Sequence, residues 1–96
     1  MKVEVTIKDT MSFWDNHIET FVSNPSSPAA TNTYVFDVAD AWVADGALTE
    51  AGIEHVCTYL YGETWKLGNG DGSRYVVLEQ RSRVLGADDA RDAKQI

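Results

Sequence analysis

Val3, Val5 and Ile7 alternate with Lys2, Glu4, Thr6 and Lys8, a period of two that predicts a strand with one buried and one wet face. From Ser12 the period lengthens. Ser12 and Asp15 have the spacing of a capping box, and Phe13, His17, Ile18, Phe21 and Val22 recur at helical intervals through Ser23. The spacing predicts a first helix with Asp15 and Glu19 together on its outer face. Pro25 and Pro28, followed by Thr31, Asn32 and Thr33, mark a loop of about ten residues. Tyr34, Phe36 and Val38 fit a strand, whereas Val38, Ala41 and Trp42 fit a helix capped by Asp37. Ala39, Ala41 and Ala44 are poor strand residues and Asp45-Gly46 is a reasonable stop, so a short helix over 37–44 is favoured.

Thr49 is a good N-cap, and Ile53, Val56, Cys57 and Leu60 form an apolar stripe ending at Gly62, which predicts a third helix. Trp65–Leu67 and Arg74–Arg83 flank the glycine-rich 68–72 stretch and read as two strands of an antiparallel hairpin. The segment from Ala87 is charged and alanine-rich, frayed or a short helix. The expectation is therefore α+β: a small three-stranded antiparallel sheet with about three helices packed on one face. The order is strand-helix-helix-helix-strand-strand, in one domain over 1–86 with a charged tail over 87–96.

Composition supports one core. Ninety-six residues with 44% apolar and 10% aromatic content suit one small domain rather than a disordered acidic chain. The beginning, Met1-Lys2-Val3-Glu4-Val5, has no apolar signal region, and no run approaches the roughly twenty apolar residues of a membrane span. Cys57 has no partner for an intramolecular disulfide, which suits a reducing cytosol, and it falls on the apolar side of the third helix as a small core residue.

Charge changes the picture most. Eight Lys and Arg stand against fifteen Asp and Glu, for a formal charge of -7, which disfavours phosphate backbones and anionic lipid as partners. From Asp9 to Trp65 there are nine acids and no Lys or Arg, whereas each flank sums to +1. The acids are Asp9, Asp15, Glu19, Asp37, Asp40, Asp45, Glu50, Glu54 and Glu63.

Sites for chemistry are poorly supported. Gly68, Gly70 and Gly72 open into the strand-like Arg74–Leu78 rather than into a helix, so they do not form a phosphate loop. A calcium loop starting at Asn69 would place Arg74 at the turn glycine and Gln80 at the bidentate acid. His17 and His55 lack ligand spacing to each other or to Cys57 for zinc. No serine has a nucleophile motif, and the carboxylate pairs lie on outward faces where nothing would raise one pKa. The expectation is a protein without catalysis, metal or cofactor.

What remains is acidic surface: Asp15 with Glu19, Asp37 with Asp40 and Asp45, Glu50 with Glu54, and Glu63. Residues four apart on a helix are separated by about 6 Å along its axis, and two nucleotide steps advance about 6.8 Å, so such carboxylates can imitate phosphates for a Lys- and Arg-lined channel. Trp14, Trp42, Tyr59 and Tyr61 can add contact at the rim, or pack in the core.

In size, acidity and αβ arrangement the chain resembles the small phage-encoded anti-CRISPR proteins, in particular the DNA-mimicking inhibitors of type I complexes. The stretches that carry this are Lys2–Asp9, the Asp15/Glu19 segment and the base-free run to Glu63. The resemblance implies a stoichiometric inhibitor in the cytoplasm of an infected bacterium, occupying the target-DNA path of a CRISPR ribonucleoprotein, with subtype I-F as the finer form. Two alternatives stand beside it. One is a winged-helix-like DNA binder, since three helices before a hairpin match that order, although its recognition helix would carry Glu50 and Glu54 and no base. The other is a phage or plasmid protein-interaction module whose acidity serves solubility.

Overall fold

A computed structural model describes every residue except Pro25, Asn69, Gly70 and Asp71. The elements are β1 (Lys2–Met11), β2 (Phe13–Asp15), β3 (Thr20–Val22), β4 (Ala30–Asp37), a 3₁₀ turn (Asp40–Trp42), β5 (Val43–Ala44), β6 (Ala47–Leu48), α1 (Glu50–Tyr61), β7 (Trp65–Leu67), β8 (Tyr75–Val84) and β9 (Lys94–Gln95). The sequence pattern is right at β1 and α1 and overstates helix elsewhere. In place of three helices on a three-stranded antiparallel sheet, the described residues form one α-helix on a five-stranded mixed sheet of order β7-β8-β1-β4-β9.

β1 lies at the centre because it is long and properly alternating. Its Val3, Val5 and Ile7 are at most 1% exposed, and both neighbours run antiparallel to it along nearly its whole length. α1 covers that face with Ile53, Val56 and Cys57, and Phe36, Val38, Leu48 and Val77 complete the core. The helix starts where Thr49 caps it, its hydroxyl accepting from the Gly52 N–H at 3.0 Å. It ends at Gly62, whose φ of 75° takes the chain out of the helix. Gly52 is required by close approach: a Cβ there would stand 2.5 Å from the Trp42 carbonyl oxygen.

The first expected helix is a β-hairpin. Phe13 pairs with Val22, Trp14 with Phe21 and Asp15 with Thr20, around a turn closed by Glu19 at φ 50°. Its apolar residues fit either period over so short a span. What decides is Trp14 against Phe21, edge to face at 5.2 Å, and the β-branched and aromatic run Thr20-Phe21-Val22. The second expected helix shrinks to the 3₁₀ turn. Tyr34 and Phe36 belong to β4, which starts within the expected loop at Ala30, and Asp45-Gly46 is a hairpin turn rather than a helix stop. Both turn residues have positive φ, 53° and 80°, the combination a two-residue hairpin needs.

β7 and β8 exist as expected but pair in parallel, Trp65 opposite Tyr75 and Leu67 opposite Val77. A three-residue strand needs a return of only about 10 Å, well within the reach of the seven residues between the two strands. The ten residues of β8 instead find their antiparallel partner in the ten of β1. The glycine-rich stretch falls largely on 69–71, outside the described residues. The chain end does not fray: residues 86–93 cross the sheet, held where the Lys2 ammonium donates to the carbonyls of Asp89 and Arg91, and β9 then pairs with Phe36 and Asp37 of β4.

The molecule measures 52 × 23 × 20 Å, and its radius of gyration of 14.8 Å exceeds the roughly 12.5 Å of a compact chain this long. The β2-β3 hairpin, a two-stranded sheet of its own that follows directly on the Met11 end of β1, is called the arm below; the Gly72 N–H donates to its Phe21 carbonyl at 2.8 Å.

Candidate interaction surfaces

Strand alternation sorts the charges. On β1, Lys2, Glu4, Thr6 and Lys8 point away from α1; register places Arg83 beside Glu4, Arg81 beside Thr6 and Glu79 beside Lys8. On β7, Trp65 turns to the helix and donates its indole N–H to Thr58, so Lys66 turns the other way. The crossing tail brings Arg91 to Glu4 at 2.7 Å. The face without the helix thus holds six of the eight bases, Lys2, Lys8, Lys66, Arg81, Arg83 and Arg91. The layer carrying α1 holds Asp40, Asp45, Glu50, Glu54 and Glu63 between Val38 and Thr64, with no base in that segment.

The expected acidic residues do not form one cluster. Asp15 and Glu19 stand at the tip of the arm; Asp15 accepts from the His17 N–H at 2.8 Å and stabilises the turn. With no helix there, the phosphate spacing does not apply to this pair. Asp37 and Asp40 lie at the opposite end of the sheet beside the N-terminal ammonium, at 3.1 and 3.7 Å, which offsets part of their charge. Asp45, Glu50 and Glu54 are exposed, and the last two are four apart on a true helix. The 3₁₀ turn is bound to α1 through Thr49 N–H to Trp42 carbonyl and through Trp42 stacked on His55 at 4.9 Å, so Asp40 and Asp45 belong to the same end as Glu50. Glu63 lies exposed beyond the helix C-terminus. The structure therefore joins Asp40, Asp45, Glu50 and Glu54, and separates Asp15 and Glu19 from them.

On the open face, ion pairing is tight. Hydrogen bonds from Arg83 and then Arg91 hold the Glu4 carboxyl down to about 2, and Arg91 does the same for Asp89, also to about 2. Under the helix, burial raises the Tyr61 phenol well above its usual range, aided by its hydrogen bond to Asp9. Burial likewise pushes the Cys57 thiol up to about 11, the behaviour of a core residue rather than of a nucleophile.

Sequence reasoning missed one surface. It placed Phe13 and Ile18 on a buried helical stripe, whereas Phe13, Trp14 and Ile18 are about half exposed or more on the arm. At the base of the arm, a cleft of about 450 Å³ opens between Thr10, Met11, Val76 and Leu78 on one side and Ser23, Asn24, Ser27 and Ala29 on the other; among the described residues its walls carry no titratable side chain. The signal available was Thr20-Phe21-Val22, three good strand residues inside the supposed helix. Among the described residues no three His, Cys, Asp or Glu side chains converge as a metal ion would require, and no helix is long and apolar enough to cross a membrane. Comparison with protein-family models, curated proteins and solved structures finds no match.

Proposed function

We propose that this protein works by binding, presenting its helix-side acids to a basic nucleic-acid groove and so excluding the nucleic acid. In the specific form the anti-CRISPR resemblance implies, the groove is the target-DNA path of a type I CRISPR complex in a bacterial cytoplasm, subtype I-F being the finer form. The supporting observation is the division of charge across the sheet: the segment 38–64 that carries α1 has exposed Asp40, Asp45, Glu50 and Glu54 and no base, and the opposite face holds most of the bases. Such a field attracts a cationic channel on one side only, which orients the encounter as well as accelerating it. Glu50 and Glu54 keep the roughly 6 Å helical step of a phosphate row, whereas Asp15 and Glu19 do not contribute to it.

The test is capture of partners from bacterial lysate at rising salt, with short duplex DNA as competitor. Recovery of a nucleic-acid-binding complex that DNA displaces, and its loss on E50K/E54K, is the expected result. Undiminished capture by E50K/E54K removes mimicry. The winged-helix alternative loses its footing, since the described residues form a single α-helix where that fold needs three. The interaction-module reading has its own support in the exposed Phe13, Trp14 and Ile18 of the arm. W14A/I18S abolishing capture while E50K/E54K leaves it intact would favour that reading.

A further inference from the structure

In α1, Ala51 is followed at helical intervals by Glu54, His55 and Thr58, which sets the four along one stripe of the helix. Trp42 packs against that stripe. Its ring is stacked on His55, 8° from parallel with centroids 4.9 Å apart, and Trp42 and the four helix residues line a shallow cleft of about 310 Å³. Trp42 and His55 are partly exposed, and Ala51, Glu54 and Thr58 are exposed. The cleft therefore offers aromatic surface and a carboxylate side by side.

The backbone that carries the indole is fixed to the helix. The Trp42 carbonyl accepts from the Thr49 N–H at 2.8 Å, its N–H donates to the Ala39 carbonyl at 3.0 Å, and Gly52 lies so close beneath that carbonyl that no Cβ fits. A partner meets a cleft already formed, which lowers the ordering cost of binding. Glu54 has the opposite character. No ion pair or hydrogen bond holds its carboxylate among the described residues, and the segment 38–64 has no base to neutralise it. Asp40, Asp45 and Glu50 of the same segment add charge of the same sign. Thr58 is engaged, its hydroxyl accepting from the Trp65 indole N–H at 3.2 Å, which leaves Glu54 as the charged acceptor.

We infer that this cleft takes the guanidinium of an arginine on the partner, stacked against the Trp42–His55 pair and forked onto the Glu54 carboxylate. The inference rests on the proposed function and names the side chain of the basic groove that α1 engages. Ring quadrupoles attract a planar cation through its face, and a carboxylate accepts two of its N–H groups at the edge. Lysine suits the cleft less well, since its ammonium is a compact, strongly hydrated point charge that neither stacks nor forks. The surrounding acids supply the long-range attraction, and the cleft supplies the preference between the two bases.

The probe is a short glycine-serine peptide with one arginine, titrated into the unmodified protein beside a lysine peptide of otherwise identical sequence. The readout is the Trp42 indole N–H resonance, assigned from Trp42→Phe. Saturable movement of that resonance is expected, with the arginine peptide bound about threefold or more tightly than the lysine peptide. Glu54→Gln is expected to weaken arginine binding about fivefold or more, whereas Glu79→Gln, the same change of charge on the face without the helix, leaves it unchanged. Both positions are exposed, so neither substitution threatens the fold. An unmoved Trp42 resonance, lysine binding as tight as arginine binding, or equal losses in Glu54→Gln and Glu79→Gln overturns the inference. The same measurements separate it from the proposed function. Arginine binding at Trp42 without capture of a nucleic-acid-binding complex keeps the cleft and removes mimicry. Capture that DNA displaces, with no arginine effect at Trp42, keeps mimicry and removes the cleft.

Discussion

The two faces of the central sheet are made from alternate residues of the same strands, and they hold the chain together by different physics. Toward α1, Val3, Val5, Ile7, Phe36 and Val77 exclude water, and stability there scales with buried apolar area. Away from α1, Glu4, Arg83, Arg91 and Asp89 form an exposed ionic network whose net contribution is small because water screens it. The first face sets the fold. The second leaves most of the bases on one side, away from the acids of the 38–64 segment.

The contrast is sharpest between neighbours on β1. Ile7→Ala is expected to cost about 2–5 kcal/mol in urea unfolding, while Thr6→Ala, one residue away on the open face, costs under about 1 kcal/mol. Equal losses would mean that the two faces are equally structural. Next comes Tyr61→Phe, which strips Asp9 of its phenol partner beneath the helix and is expected to cost about 1.5–3 kcal/mol, a hydrogen bond to a charged group being lost. Full stability in this variant would show that water serves Asp9 as well. Gly52→Ala pushes a methyl against the Trp42 carbonyl and is expected to cost about 1–3 kcal/mol in the same assay. A neutral result would show that the 3₁₀ turn yields freely.

The smallest effect belongs to the open face and depends on pH. Glu4 is held down to about 2 from an ordinary 4.5, so its contribution is present above 4.5 and is lost as pH falls toward 2; Asp89 behaves the same way from 3.8. Arg91→Ala should therefore lower the thermal midpoint slightly near neutrality and converge on the parent curve below about pH 2. A difference that persists unchanged through that window would assign Arg91 to packing of the chain end rather than to its charge.

How legible was all this in the sequence? β1 could be read because seven residues alternate without exception, and α1 because cap, stripe and terminating glycine agree. The arm was missed because Phe13, His17, Ile18, Phe21 and Val22 recur at helical spacing, and the strand signal against them, Thr20-Phe21-Val22, is only three residues long. Asp45-Gly46 was seen as a stop signal; the two-residue strands on either side were too short for any period to show. Of the acidic candidates, Glu50 and Glu54 kept their helical spacing, while Asp15 and Glu19 lost theirs together with the helix.

By itself, the sequence determined the quantities that are sums or local periods: one small core, an acid-rich and base-free middle, a buried face on β1 and a capped amphipathic α1. Only the tertiary structure decided which strands are neighbours, that β7 runs parallel to β8, and that most of the bases gather on one face. Those features depend on pairings between residues far apart in the chain. A period of two says that a residue faces in or out, but carries no information about which distant strand lies beside it.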